Sequence, residues 1–252
     1  MLREVLERWR QGRRTIAFPA GEPPVLPDRY RGRPALDAAK CPDGCRDCLD
    51  ACPTDALVPG PSGVRFDLGR CLFCTDCLDA CPAGAVSFTR DFRLAARTKE
   101  DLLTDGRAAK AAAALDERCR RLLGRALRLR QVSAGGCNAC EADLNVLTTV
   151  VFDLSRFGVE FVASPRHADG LLVTGAMTAS MAPALRAAYD ATPEPKIVIA
   201  VGACAISGGP YRGHPAVLDG AQALVPVDLF VPGCPPHPLT VLDGLLSLLG
   251  RG

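Results

Sequence analysis

Two compact groups of cysteines, one after the other, constrain this chain more than any other feature. The first group is Cys41, Cys45, Cys48 and Cys52, and the second is Cys71, Cys74, Cys77 and Cys81, each followed by a proline. Four thiols within eleven residues would form a strained disulfide framework, whereas they suit a compact inorganic cluster. The total of thirteen cysteines is also odd. We therefore expect metal ligands in a reducing compartment, the cytoplasm.

The second group has the spacing C-x2-C-x2-C-x3-C-P, which is typical of bacterial two-cluster ferredoxins. In that pattern the fourth cysteine of each group binds the other cluster. The spacing predicts that one cluster is bound by Cys41, Cys45, Cys48 and Cys81, and the other by Cys71, Cys74, Cys77 and Cys52. The first group has one residue more than the pattern, and the Pro-Asp-Gly turn before Cys45 is expected to absorb it. Zinc is an alternative metal, although its sites usually space their ligands as two separated pairs.

The two groups also form an internal repeat, since CRDCLDACPTDAL at 45–57 resembles CTDCLDACPAGAV at 74–86. This repeat predicts a small, pseudo-symmetric α+β ferredoxin domain over residues 36–92. A domain of this size has a small core, so the clusters are expected to contribute much of its stability.

The segments on either side of this domain have different compositions. Residues 1–14 place Leu2, Val5, Leu6 and Trp9 on one helical face with arginines around them. Such a helix either docks on its own protein, grips a partner subunit or lies at a membrane surface. The five prolines of residues 18–35 predict an extended arm, so residues 1–35 are expected to form a docking helix and a proline-rich arm.

Residues 93–130 are rich in alanine and arginine and predict a helical linker. One face of the predicted helix carries Leu115, Cys119, Leu122 and Ala126. Cys119 is the thirteenth cysteine, and we interpret it as a small buried hydrophobic residue rather than a ligand.

Residues 131–252 alternate apolar strands with helices, which predicts a parallel α/β sheet, flavodoxin-like in type. The predicted strands are Val159–Ala163, Gly170–Thr174, Ile197–Val201 and Val227–Val231. Cys137 and Cys140 stand on a glycine-rich turn, and Cys204 and Cys234 follow two of the strands. Ligands of open α/β sheets lie outside the carboxyl ends of the strands. The four thiols are therefore expected to bind a third iron–sulfur cluster there.

Composition excludes some functions. A net charge of +2 disfavours a dedicated nucleic-acid-binding protein, which normally carries a strong basic excess. The longest uncharged run, Leu171–Leu185, contains glycine and proline and is too short to span a bilayer. Any association with a membrane is therefore expected to occur through partner proteins.

Several sequence blocks carry a family resemblance. GGCNACE (135–141), SPRHADGLLVTGAMT (164–178), GACAISGG (202–209) and VPVDLFVPGCPPHP (225–238) resemble the small subunit of group 4 [NiFe] hydrogenases, including formate hydrogenlyase. That subunit is related to the 20 kDa subunit of complex I. YRGRP (30–34), FDLGRCLFC (66–74) and TKEDLL (98–103) resemble the ferredoxin-type subunit of the same complexes. The chain therefore resembles a fusion of two subunits that are often separate.

The resemblance implies ligands for the cluster proximal to the active site, namely Cys137, Cys140, Cys204 and Cys234. Complex I relatives have adjacent cysteines at the first pair, whereas this chain has CxxC, as hydrogenases do. Glu141 matches an acidic position near the proximal cluster. It either moves protons or tunes the cluster, or it is a surface or helix-start carboxylate.

The three histidines have less specific roles. His167 is expected to pack or to hydrogen-bond near the cluster or a large-subunit interface. His237 is predicted to donate a hydrogen bond to a cluster sulfur and so raise the potential. His214 has no assigned role.

The resemblance implies an electron-transfer subunit with three [4Fe-4S] clusters and no catalytic centre of its own. Its expected partners are a large subunit with the Ni–Fe site, membrane-embedded subunits, and a formate dehydrogenase or soluble electron donor. One alternative is the equivalent subunit of a complex I-like quinone oxidoreductase or a nickel-free relative. Another is a free polyferredoxin.

Overall fold

A computed structural model describes residues 2–60, 63–105, 112, 114, 115, 117, 123 and 126–251. The helices in this part of the chain are α1 (Leu2–Gln11), α2 (Asp47–Asp50), α3 (Asp76–Asp79), α4 (Ala139–Val146), α5 (Ala182–Ala191), α6 (Ala203–Ser207) and α7 (Pro238–Leu248). The strands are β1 (Pro34–Leu36), β2 (Leu57–Gly60), β3 (Gly63–Asp67), β4 (Val86–Phe88), β5 (Leu103–Thr104), β6 (Leu127–Ser133), β7 (Val159–Phe161), β8 (Gly170–Thr174), β9 (Ile197–Val201) and β10 (Leu229–Val231).

The C-terminal half contains a five-stranded parallel sheet with the strand order β10-β9-β8-β6-β7. Strands β8 and β9 are buried over their full length, as continuous apolar runs in a parallel sheet require. The carboxyl ends of all five strands lie at the same edge of the sheet. The predicted α/β fold class is confirmed.

Strand β6 was not among the predicted strands. The helical linker predicted over 93–130 is wrong near both of its ends, because Leu103–Thr104 and Leu127–Ser133 are strands. Leu127 and Leu129 alternate with arginines and are fully buried, which is the two-residue period of a strand. The segment before these leucines is rich in alanine and arginine, which is typical of a helix, so the alternation that indicates a strand was not recognised. Cys119 and Leu122 lie outside the described residues.

The N-terminal half forms two small antiparallel sheets, β1-β4 and β2-β3-β5. Helices α2 and α3 each have the sequence DCLD, one from each half of the repeat. They contact one another, so the repeat in the sequence corresponds to a repeat in the structure. This arrangement confirms the predicted ferredoxin-like domain.

The two halves share one core. Phe66, Leu68 and Leu102 of the ferredoxin half belong to the same hydrophobic cluster as Ile206 and Phe230 of the sheet half. Ala96 and Phe230 exchange two backbone hydrogen bonds, of 3.0 and 2.8 Å. The domains are therefore packed face to face.

The N-terminal segment divides into an anchored arm and a free helix. Phe18 is buried and packs edge to face on Phe92, with 5.6 Å between the ring centroids. In contrast, α1 has no buried residue. The described residues therefore leave α1 uncovered, and the surface on which it docks stays a prediction.

Candidate metal centre

The sheet positions the four C-terminal cysteines at one edge. Cys137 and Cys140 follow β6, Cys204 lies in α6 directly after β9, and Cys234 follows β10. The turn before α4 is tight because Gly135 and Asn138 have left-handed φ angles of 87° and 69°. Parallel strands bring their carboxyl ends to the same edge, which is why residues so distant in sequence meet.

Two glycines bring the backbone close to these thiols. A Cβ atom on Gly202 would lie 2.6 Å from the Sγ of Cys140, and one on Gly209 would lie 2.8 Å from the Sγ of Cys204. Both glycines have positive φ angles, which also favour glycine. Any side chain at these two positions would therefore collide with a thiol sulfur in its present place.

The pKa values of these thiols show that they influence one another. Burial raises the pKa of Cys140 to about 12, and the Cys204 and Cys234 thiols add to the rise. Burial, followed by Cys234 and Cys137, raises the pKa of Cys204 to about 11. A cation bound among the thiols reverses this effect, since a coordinating thiol is deprotonated outright. This donor set suits an iron–sulfur cluster.

The thiols of the ferredoxin half also raise one another's pKa values, and different thiols act on Cys48 and on Cys71. Burial raises the pKa of Cys48, and the thiols that add to the rise are those of Cys81, Cys41 and Cys45. Burial raises the pKa of Cys71 to about 12, and the contributing thiols are those of Cys77, Cys52 and Cys74. In both groups the fourth thiol comes from the other half of the repeat. The assignment of four ligands to each cluster stays a prediction from the spacing.

Backbone N–H groups point at several of these sulfurs. Ala56 donates to the Sγ of Cys52 at 3.2 Å, and Ala85 donates to the Sγ of Cys81 at 3.3 Å. These are equivalent positions in the repeat. At Cys81 burial opposes ionisation, but the N–H groups of Val86 and of the residues just before it outweigh burial and lower the thiol pKa. Such donors stabilise thiolates and so favour metal binding.

The extra residue of the first group is absorbed as expected. Gly44 adopts a left-handed φ of 75°, and the N–H of Cys45 donates to the carbonyl of Pro42 at 3.2 Å. A cavity of about 640 Å³ lies beside this turn and is lined by Cys41, Cys45 and Leu49 among others. Cys41 therefore stays beside the thiols with which the sequence grouped it.

The thiols of the second ferredoxin group also influence those of the other two groups. Burial raises the pKa of Cys77 to about 12, and the Cys48 thiol of the first group is among those that add to the rise. Burial raises the pKa of Cys234, and the Cys137 and Cys74 thiols add to the rise. The second ferredoxin group is thus the neighbour of both others.

The described residues contain no group of three or more His, Cys, Asp or Glu side chains close enough to hold a single metal ion. An iron–sulfur cluster is several atoms across and spaces its cysteines more widely than one ion does. None of the twelve described cysteines forms a disulfide.

Glu141 lies in the first turn of α4, as expected, but it is 7% exposed rather than on the surface. Thr174 donates a 2.7 Å hydrogen bond to its Oε1. Burial opposes ionisation of Glu141, but hydrogen bonds from Ser133 and Thr174 outweigh it and lower the carboxyl pKa. Sequence reasoning missed Thr174, although it is a polar residue at the carboxyl end of a buried strand.

The histidines lie at three different places. His237 caps α7, because its Nδ1 accepts from the N–H of Leu239 at 3.1 Å. Burial lowers the pKa of His237. Because Nδ1 accepts this hydrogen bond, the N–H of the ring that can donate is on Nε2. His214 accepts from the N–H of Ala216 within a turn, and His167 is exposed.

A cavity of about 240 Å³ is lined by Tyr30, Phe73, Asp143, Cys234 and His237 among others. The ring of Tyr30 contacts that of His237 edge to face, with centroids 5.2 Å apart. Arg31 donates from Nη1 to the carbonyl of Phe73 at 2.9 Å. The proline-rich arm therefore contributes to the boundary between the second ferredoxin group and the C-terminal group.

No described helix has the length and apolar character needed to cross a bilayer.

Comparison with known proteins identifies both halves. The family described as NADH ubiquinone oxidoreductase, 20 Kd subunit, matches residues 137–248, and the 4Fe-4S dicluster domain matches residues 37–85. Over 121 residues the chain is 48% identical to formate hydrogenlyase subunit 7 of Escherichia coli, and this match covers 48% of this chain and 47% of that protein. The chain thus spans about half the length of that relative.

Two further relatives are covered over most of their length. A probable membrane-bound hydrogenase subunit of Pyrococcus furiosus is 42% identical over 131 residues, which are 52% of this chain and 78% of that protein. An NADH-quinone oxidoreductase subunit of Heliobacterium modesticaldum is 44% identical over 119 residues, which are 47% of this chain and 68% of that protein. The chain therefore belongs to the family that unites the small subunit of group 4 [NiFe] hydrogenases with the 20 kDa subunit of complex I, and it carries a 4Fe-4S dicluster domain in addition.

Proposed function

We propose that this chain is an electron-transfer subunit with three [4Fe-4S] clusters in a membrane-associated [NiFe] hydrogenase complex of formate hydrogenlyase type. It would connect an electron donor with the Ni–Fe site of a large subunit. The observation that carries the proposal is the presence of twelve cysteines in three groups of four, the last of which lies at the carboxyl edge of the parallel sheet. When bound, such clusters supply one-electron transfer.

The proposed ligand sets follow the groups described above. Cys41, Cys45, Cys48 and Cys81 would hold the first cluster, Cys52, Cys71, Cys74 and Cys77 the second, and Cys137, Cys140, Cys204 and Cys234 the third. Support comes from the N–H groups that point at sulfur and from the glycines beside Cys140 and Cys204. The thiolates bind iron, and the buried residues Phe66, Leu68 and Phe230 limit the access of water.

The exposure of the third group supports a large-subunit partner. Cys137 and Cys234 are exposed, whereas Cys140 and Cys204 are partly covered. A low-potential cluster left open on one side would be accessible to solvent. We therefore propose that another subunit covers this edge and carries the Ni–Fe site, and that the chain itself makes and breaks no substrate bond.

The relative from Pyrococcus furiosus is a probable membrane-bound hydrogenase subunit, which supports the proposed setting. We propose a cytoplasmic chain, peripheral on the inner face of the cell membrane, with membrane-embedded subunits and a formate dehydrogenase or soluble donor as partners. The equivalent subunit of a quinone oxidoreductase is the second candidate, favoured by the relative from Heliobacterium modesticaldum. The CxxC spacing of Cys137 and Cys140 favours the hydrogenase.

The test is the metal content of the complex, purified anaerobically from membranes through a tag on this chain. Nickel near one atom per complex, with abundant iron, is the expected result. Iron without nickel, in a complex that retains a large subunit, would replace the hydrogenase with the quinone-linked or nickel-free candidate. Recovery of the chain alone from the soluble fraction would indicate a free carrier instead.

A further inference from the structure

The exposed apolar side chains of this protein are concentrated in one region. Ten large hydrophobic residues are exposed among the described residues, and seven of them lie in α1 or in the segment 146–151. These seven are Leu2, Val5, Leu6, Trp9, Val146, Val150 and Val151. Leu2 is 80% and Trp9 83% exposed, so the described residues leave the apolar face of α1 uncovered.

Hydrogen bonds connect the two parts of this region. The hydroxyl of Thr15 donates to the carbonyl of Val150 at 2.8 Å, and the N–H of Ile16 donates to the carbonyl of Val151 at 2.9 Å. Four residue steps separate Gln11 from Thr15, so the end of α1 lies within about 14 Å of this anchor. We call α1 together with 146–151 the N-terminal apolar surface.

The charge of this surface indicates what it contacts. Residues 2–14 contain five arginines and two glutamates, a net charge of +3, compared with +2 for the whole chain. This short segment therefore carries a larger positive charge than the whole chain, and its arginines lie beside the apolar face of α1. A short helix with an apolar face, a tryptophan and a basic polar face is the pattern of an interfacial helix on anionic lipid.

We propose that the N-terminal apolar surface binds directly to an anionic lipid membrane. This goes beyond the function proposed above, in which partner subunits alone provide membrane association. Leu2, Leu6 and Trp9 enter the interface, while the arginines contact lipid phosphates. Insertion and charge attraction act together, because one short apolar face alone gives only weak, reversible binding. The anchor at Thr15 and Ile16 then transmits that attachment to the sheet domain.

The test uses a convenient property of the sequence, since Trp9 is the only tryptophan. The full, cluster-loaded chain is mixed anaerobically with phosphatidylcholine vesicles that contain or lack phosphatidylglycerol. We expect the Trp9 emission to shift to shorter wavelength and the chain to float with the anionic vesicles. Zwitterionic vesicles and high salt should weaken both effects.

Two matched variants make the test specific. Leu6→Glu places a charge on the apolar face and is expected to lower the partition coefficient at least about tenfold, since burial of one leucine contributes that much or more. Val25→Glu makes the same kind of change at a residue that is 98% exposed but lies outside the surface, and it should leave binding unchanged. The visible absorption of the clusters verifies that both variants are folded.

Three results would overturn the proposal. The first is a chain that neither floats with anionic vesicles nor shifts its Trp9 emission. The second is equal binding by Leu6→Glu and the unmodified chain. The third is binding only to vesicles that contain reconstituted membrane subunits, which would make this surface a protein interface.

Discussion

The hydroxyl of Ser207 donates a 2.9 Å hydrogen bond to the carbonyl oxygen of Gly69, across the boundary between the two domains. Ser207 ends α6, the helix that contains Cys204, and Gly69 lies two residues before Cys71. The same hydroxyl is 3.1 Å from the carbonyl of Ala203. The bond therefore connects the backbone around one cysteine group with the backbone around the next.

Replacing this hydroxyl tests how much the boundary contributes to stability. Ser207→Ala leaves the Gly69 carbonyl without its donor, which is expected to cost about 1–2 kcal/mol. The measurement is the thermal midpoint of the cluster-loaded chain under anaerobic conditions. Ser87→Ala, at an exposed strand position, is the matched control and should change little. An equal effect of both variants would contradict the structural role of Ser207.

Removal of a single thiol tests the third ligand set. Cys234→Ala is expected to lower the iron content of the anaerobically purified chain from about twelve to about eight atoms, because one four-iron cluster is lost. Cys119→Ala is the control, since the spacing assigns Cys119 to none of the sets. Iron analysis and electron paramagnetic resonance of the reduced chain provide the readout. Unchanged iron in Cys234→Ala would remove this residue from the ligand set.

Gly202 tests whether the space around Cys140 is required. In Gly202→Ala the new Cβ would lie 2.6 Å from the Cys140 sulfur, at a φ of +90°. We expect loss of the third cluster, about four iron atoms per chain, with the ferredoxin clusters retained. Gly213→Ala is an informative control because Gly213 also has a positive φ, of 78°, but nothing lies within 4 Å of the methyl group that alanine would add there.

The two glycine variants separate steric clash from backbone strain. Gly213→Ala should cost only about 1–2 kcal/mol of left-handed strain and keep the full iron content. If Gly202→Ala also keeps its iron, the close approach to Cys140 is not needed for cluster binding.

The buried carboxyl of Asp243 is expected to make the stability of the folded chain decrease as the pH rises. Burial raises the pKa of this carboxyl to about 6, although Arg93 at 3.8 Å lowers it, and Asp91 adds to the rise. The folded chain therefore holds a proton that the unfolded chain releases at its ordinary value of 3.8. Stability is complete below that value and falls as pH rises through about 6.

Asp243→Asn should remove this loss and stabilise the chain at pH 8 by about 3 kcal/mol at most, since two pKa units correspond to about that free energy. The measurement is the thermal midpoint at pH 5 and pH 8 for the unmodified chain and the variant. Asp50→Asn, at an exposed helix position, is the control. A variant less stable than the unmodified chain at pH 8 would mean that the ion pair with Arg93 outweighs the burial.

The fold of the N-terminal domain could be predicted because the repeat of two cysteine groups is visible in the sequence, and helices α2 and α3 come from equivalent positions of that repeat. The assignment of Cys52 and Cys81 to opposite clusters stays a prediction from the spacing. Strands β8 and β9 were also predicted within their bounds, because a buried parallel strand is a continuous apolar run.

Other features depend on residues distant in sequence. The burial of Glu141 depends on Thr174, which is 33 residues away, so the pattern around Glu141 alone suggested a surface position. The hydrogen bond between Ser207 and Gly69 spans 138 residues and has no local signature. The exposure of α1 could not be predicted from the sequence either, because an amphipathic pattern shows which face of a helix is apolar but not what covers that face.

The two hydrogen bonds between Ala96 and Phe230 join domains that belong to a single polypeptide. Their docking is therefore an intramolecular event with a high effective concentration, and dilution does not reverse it. In complexes where the corresponding modules are separate proteins, each can be lost or replaced independently. Here the ferredoxin groups and the sheet's cysteines are always present in a one-to-one ratio. A cell that makes this chain cannot produce one module in excess of the other.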